Sequence, residues 1–114
     1  MEVKGDGYQI RYDPAAGRVI CQGALRLYGA DGYAAIVNLF NAIAEQQAPL
    51  LTVDVTDLQF LNSSGINALS KFIIKVRDLK VSRLIVKGTE QFPWQAKSLK
   101  NLQLLMPELT LEIA

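Results

Sequence analysis

The sequence predicts a small α/β fold, a mixed β-sheet with helices packed on it, and three observations lead there. The opening segment alternates apolar and polar residues around turn chemistry, as a hairpin does. From about residue 30 the apolar period becomes helical, and helix-like and strand-like segments then alternate to the C-terminus. The 114 residues, half apolar and a fifth charged, suffice for one core without a disulfide or metal and carry no signature of disorder. One domain spanning residues 1–114 is expected, with no repeat, linker or low-complexity tract.

In order, "YQIRYD" (Tyr8 to Asp13) reads as a strand, "DPAAG" as a turn and "RVICQGALRL" (Arg18 to Leu27) as the returning strand. Asp31 is the expected N-cap of a first helix whose stripe is Ile36, Leu39, Phe40, Ile43 and Ala44, closed by Pro49. "LLTVDV" (Leu50 to Val55) is apolar almost throughout, which predicts a central strand buried on both faces. "TDLQF" is expected to be a short irregular link. From Ser64 to about Leu79 a second helix gathers Ile66, Leu69, Phe72, Ile73 and Val76 on one face. Asn67, Lys71, Lys75 and Asp78 fall on the other, with Ile74 isolated among them. "SRLIVKG" (Ser82 to Gly88) is a strand, "WQAKSLKNLQLLM" a third helix between Pro93 and Pro107, and "LTLEI" (Leu109 to Ile113) a final strand. Right-handed crossovers place the later helices on a defined side of the sheet.

Composition excludes several functions. Histidine is absent and Cys21 is the only cysteine, which removes the Ser-His-Asp triad, the Cys/His pair, the usual zinc sites and any internal disulfide. Without an acid–base pair, no enzyme, metal or cofactor is expected. Twelve basic and 11 acidic residues, net +1, leave no electrostatic footprint for nucleic acid or an anionic membrane. No apolar h-region opens the chain and no apolar run approaches a membrane span, so a cytoplasmic protein is expected. Cys21, in an apolar strand, reads as a small buried hydrophobe. Asp54 is placed like the phosphoacceptor of receiver domains, but the first strand lacks their acidic pair, and a polar role at the strand end is the expectation. Trp94 is either an interface anchor or packing at the start of the third helix. Lys97 and Lys100 read as a solvated helix face.

The stretch "FLNSSGIN", Phe60 to Asn67, joins the central strand to the second helix. It therefore lies at the carboxyl edge of the sheet, where α/β proteins place functional groups. A helix N-terminus offers unpaired N–H groups and about half a positive charge, so a phosphate carried on a serine there gains both. Asn and Ser are also favoured N-caps, and the stretch can be read as a cap alone. Asn62-Ser63-Ser64 matches the glycosylation sequon, which has no meaning without secretion. The elbow G-x-S-x-G of esterases is missing.

"LLTVDVTDLQFLNSSGINALSKFIIKV" resembles the central signature of the STAS domain, the anti-sigma-factor antagonist family. That signature runs strand, acidic residue, short link, Asp-Ser-Ser/Thr-Gly and apolar helix. The likeness extends over nearly the whole chain and is closest to small single-domain regulators of cyanobacterial type. It implies a STAS-like fold and partner switching in bacterial signal transduction and transcription regulation. A serine kinase, often also an anti-sigma factor, phosphorylates the serine after the Asp; a metal-dependent phosphatase reverses it; the phosphate breaks the partner contact. Carried over by position, the resemblance implies Ser63 as the candidate phosphoacceptor, with Ser64 its fallback, and Asn62, Ser64 and Gly65 as the switch loop and cap. Asn67, Lys71, Ile74 and Lys75, on the adjoining helix face, are candidate partner contacts. The resemblance departs in one place: Asn62 stands where the signature has Asp. A related group of small regulators similarly reads Leu-Asn-Thr-Ser-Ser here, with the Thr phosphorylated. A phosphate at the lip of a docking surface, about −1.5 to −2 charges, acts there without refolding the domain. The alternative is a STAS-like sensor of a nucleotide or other small molecule at the same edge, against which stands the absence of a glycine-rich phosphate loop.

Overall fold

A computed structural model describes residues 1–114. Its elements are β1 (Glu2–Gly5), β2 (Tyr8–Asp13), β3 (Arg18–Leu25), α1 (Gly29–Glu45), β4 (Leu50–Leu61), α2 (Ser63–Leu79), β5 (Arg83–Gly88), α3 (Pro93–Gln103) and β6 (Thr110–Ile113). The six strands form one sheet in chain order; β1–β2 and β2–β3 are antiparallel, and β3–β4, β4–β5 and β5–β6 are parallel. The expected α/β class, a mixed sheet with helices packed on it, is what the chain forms.

The opening hairpin has a third strand. Asp6-Gly7, with Gly7 at φ +79°, turns β1 back onto β2, pairing Gly5 with Tyr8 and Glu2 with Arg11. β2 and β3 then pair from Asp13↔Arg18 to Tyr8↔Gly23, across a turn in which the Asp13 carboxylate accepts from the Ala15 N–H at 3.1 Å.

Each parallel crossover steps one strand along the sheet in the same direction, so the right-handed rule places α1, α2 and α3 on one face. Burial follows that rule. Val19 and Cys21, Leu51, Val53 and Val55, and Leu84 and Val86 are buried in a core of 27 residues, while Ile20, Asp54, Ile85 and Lys87 between them reach solvent. The expectation that β4 is buried on both faces holds on the outer side only at Thr52, which is buried; Asp54 and Thr56 on that side are partly exposed, because the helices cover the other. The predicted α1 stripe is buried in full, joined by Tyr33. On α2, Leu69, Phe72, Ile73 and Val76 are buried and Ile66 only partly. Phe40 and Phe72 meet with ring centroids 5.0 Å apart, closing the α1–α2 contact.

"TDLQF" is strand, not link, and the reason is two bulges. Against β3, the partner of Ile20 is Asp54 and that of Gln22 is Asp57; the partner of Gly23 is Leu58 and that of Ala24 is Phe60. Each step inserts one extra residue in β4, so its inward side chains run Leu51, Val53, Val55, Leu58, Leu61. A strict period of two cannot see such a strand. Asp54, predicted at a strand end, lies within this longer strand and closes the first bulge. One carboxylate oxygen accepts from the Thr56 N–H at 3.0 Å and its hydroxyl at 2.6 Å, while the other pairs with Arg18 at 3.4 Å.

From the helical side Gln95, fully buried, holds the same region. Its amide donates to the carbonyls of Val55 at 2.7 Å and Leu58 at 3.0 Å, and its oxygen accepts from the Thr89 N–H at 2.7 Å. Trp94 Nε1 donates to the same Leu58 carbonyl at 3.1 Å, and the half-buried ring packs against the core. Trp94 is therefore packing, as one of its two readings held. Strand β4 reaches the turn at Asn62 fixed from both sides.

Candidate functional site

The turn between β4 and α2 is built around Asn62. Its backbone is extended at φ −81°, ψ 178°, and its side-chain oxygen accepts from the Gly65 N–H at 3.0 Å, the N-cap bond of α2. The same oxygen accepts from the Tyr33 hydroxyl at 2.7 Å, and the amide donates to the Leu27 carbonyl at 2.8 Å. All three partners fit only one orientation of the amide. Burial pushes the Tyr33 phenol up, so at neutral pH it remains a donor to Asn62.

The position asks for Asn on physical grounds. An ionised Asp could accept from Gly65 and Tyr33 and would sit well at a helix N-terminus, but it would face the Leu27 carbonyl with an acceptor. The amide cross-links the β3–α1 loop to the β4–α2 turn. Two further bonds stitch the same segments: the Asn62 N–H donates to the Leu25 carbonyl at 3.3 Å, and the Gly29 N–H to Ser64 Oγ at 3.2 Å.

These bonds separate the two serines. Ser64 is half-buried and its oxygen receives the first N–H of α1. Ser63, first residue of α2, is exposed, and its hydroxyl enters none of the side-chain hydrogen bonds. Gly65 is buried, and a Cβ there would lie 2.7 Å from the Tyr33 oxygen and run into the Leu61 side chain, so these must shift to admit one. The expected N-cap of α1 is displaced. The helix starts two residues earlier than Asp31, with Tyr28 at the N-cap position and no side-chain cap bond, and Ser64 meets its first N–H from across the turn.

The candidate contacts on α2 are of unequal character. Asn67 and Lys71 are exposed and, with Gly29, Ala30, Val37 and Ser70, line a groove of about 340 Å³ between the starts of α1 and α2. Lys75 is half-buried and paired with Glu45 at 2.6 Å, which ties α2 to the end of α1, and Ile74 is half-buried. Sequence reasoning missed Tyr33 and the β3–α1 loop. Tyr33 does carry a signal, since it precedes Ile36 by three on the α1 stripe; the loop, joined through backbone carbonyls, carries none.

The site thus belongs to a small mixed-sheet α/β protein with a capped serine turn at the carboxyl edge of its sheet. No protein-family model matches the chain, and no curated protein matches it. Solved structures do share its fold. One is the crystal structure of the diguanylate cyclase SiaD in complex with its activator SiaC from Pseudomonas aeruginosa, matched with TM-score 0.74 at 15% identity over 100% of this chain and 99% of that one. Another is apo-SiaC of the same organism, TM-score 0.72 at 15% identity, covering 99% of this chain and 96% of that one. At that identity the likeness is one of fold. No helix is long and apolar enough to cross a membrane.

Proposed function

We propose that the chain is a STAS-like partner-switching regulator in the cytoplasm, whose binding to a protein partner is set by reversible phosphorylation of Ser63. One observation carries the reading. Of the two serines in the turn, Ser63 alone is exposed and unbonded at the first position of a capped helix. The SiaC structures support a partner-binding role, since one of them is a complex in which SiaC is the activator of a diguanylate cyclase.

In this scheme a serine kinase, the anti-sigma-factor type included, transfers the γ-phosphoryl of ATP to Ser63 Oγ. The hydroxyl proton goes to a base of the kinase and ADP leaves. A phosphatase delivers water to the phosphorus and releases inorganic phosphate. The phosphate gains from the α2 N-terminus, so the modified turn keeps its cap and backbone. The added charge, about −1.5 to −2, stands where the partner must desolvate the surface, and contact is lost there. The chain itself performs no catalysis.

The test is incubation with ATP and the serine kinase encoded nearest to this chain in its genome, followed by intact-mass measurement and partner pull-down. One added phosphate, abolished by Ser63→Ala, with partner release on phosphorylation, is expected. A phosphate that leaves partner binding unchanged contradicts the switch.

A further inference from the structure

We propose that the Arg26–Phe60 stack and Tyr28, on the β3–α1 side of the switch turn, form the docking surface for the partner, which presents an acidic segment bearing apolar side chains. The inference rests on the partner-binding reading above and names the chemistry of that partner.

Six large apolar side chains are exposed: Met1, Tyr28, Leu50, Phe60, Val81 and Leu104. Two of them flank the switch turn, whereas Leu50 and Val81 stand at the opposite, amino ends of the parallel strands. Tyr28 is 89% exposed at the N-cap of α1, where Ser, Thr, Asp or Asn would cap and a tyrosine makes no cap bond. Its side chain serves neither the core nor the helix end. Arg26 lies with its guanidinium carbon 4.7 Å from the centroid of the exposed Phe60 ring. None of the four ion pairs includes Arg26. Tyr28 follows Arg26 by two residues and both are exposed; Arg, Tyr and Phe are residue types enriched at interface centres.

The surface is continuous with the switch. Leu25, Leu27 and Gly29, in and on either side of the β3–α1 loop, are bonded to Asn62 and Ser64, and Phe60 precedes Ser63 by three residues. An unpaired guanidinium laid on a ring asks for a carboxylate, and the two rings ask for apolar cover. The α2 face offers less, since Lys75 is already paired with Glu45 and Ile74 is half-buried. Asp31, the acid nearest to Arg26 in sequence, and Asp57, the acid nearest to Phe60, are both exposed, and neither forms an ion pair with Arg26. A phosphate on Ser63, three residues from Phe60, then repels the acidic segment.

A phage-displayed random-peptide library panned on the unphosphorylated protein tests this. Enriched peptides are expected to carry Asp or Glu beside Leu, Phe, Tyr or Trp, and to bind Arg26→Gln and Tyr28→Ser at least about tenfold more weakly. Both side chains are exposed, so thermal melts of the variants should match the parent. Enrichment of basic or uncharged peptides, binding that survives both substitutions, or no enrichment overturns the proposal. So does sedimentation with phosphatidylserine vesicles that depends on Arg26 and Tyr28, which would make the surface a membrane contact. Peptide bound equally by Ser63→Asp leaves this surface standing and contradicts the phosphate switch.

Discussion

At the scale of single residues, the division of labour among Asn62, Ser63 and Ser64 is set by who is already bonded. Asn62 has both its amide functions in use and Ser64 its oxygen, which leaves the Ser63 hydroxyl alone unbonded. Replacing Asn62 by Ala removes the cap and orphans the Tyr33 hydroxyl; chemical denaturation should show a loss of about 2–3 kcal/mol, the sum of a lost cap and an unpaired polar group. Asn62→Asp is predicted to cost about 1–2 kcal/mol at neutral pH, because the acceptor facing the Leu27 carbonyl outweighs the helix-dipole gain. A stability equal to that of the parent would show that the Leu27 bond is not the reason for Asn here. Reading the residue type was enough to place a cap at Asn62. It was not enough to explain the amide, because the Leu27 partner lies on a loop 35 residues away.

At the scale of elements, β4 and α2 meet at the capped Asn62 turn and together present its serines. Gln95→Leu would leave the Val55 carbonyl and the Thr89 N–H unpaired inside the molecule, with Leu58 retaining Trp94. A loss of about 2–4 kcal/mol in urea unfolding is expected. Gly65→Ala gains up to about 1 kcal/mol of helix propensity but overpacks against Leu61 and Tyr33, at about 1–3 kcal/mol. Net destabilisation is therefore predicted, and a raised melting temperature would contradict the close packing. The helices were legible because their stripes have one period from end to end. β4 was legible only to Val55: its two bulges move the inward positions to Leu58 and Leu61, and a bulge is fixed by the register of the neighbouring strand. β1 escaped for a different reason. Four residues with one partly buried side chain give no alternation, although Asp6-Gly7 is a hairpin signal in its own right.

At the scale of the whole molecule, all three helices lie on one side of the sheet, and α1 and α2 cover Cys21. Burial, with a smaller contribution from the Asp54 charge, pushes the Cys21 thiol from its ordinary 9.0 up to about 12. Below 9 the thiol is protonated folded and unfolded alike, so this group gives no pH dependence there. Between 9 and 12 only the unfolded chain gives up the proton, so stability falls as pH rises through that window. The urea midpoint is expected to drop between about pH 8 and about pH 10.5, less steeply in Cys21→Ala, with native Cys21 resisting Ellman's reagent at the lower pH. Tyr12 and Tyr33, both also raised by burial, keep part of the slope in that variant. The architecture was legible because alternating periods leave few topologies. The position of the serine turn at the sheet's carboxyl edge was legible with it, but its stitching to the β3–α1 loop was not, since that depends on backbone groups that every residue carries.

The central claim is that Ser63, and not its neighbour, takes the phosphate. Fragment-ion mass spectrometry on the protein isolated from its native cells, with phosphatase inhibitors present, separates Ser63 from Ser64 directly. Phosphate confined to Ser63, with a stoichiometry that changes with growth condition, is the predicted result. Phosphate on Ser64, whose oxygen is held by Gly29, or none under any condition, would contradict it.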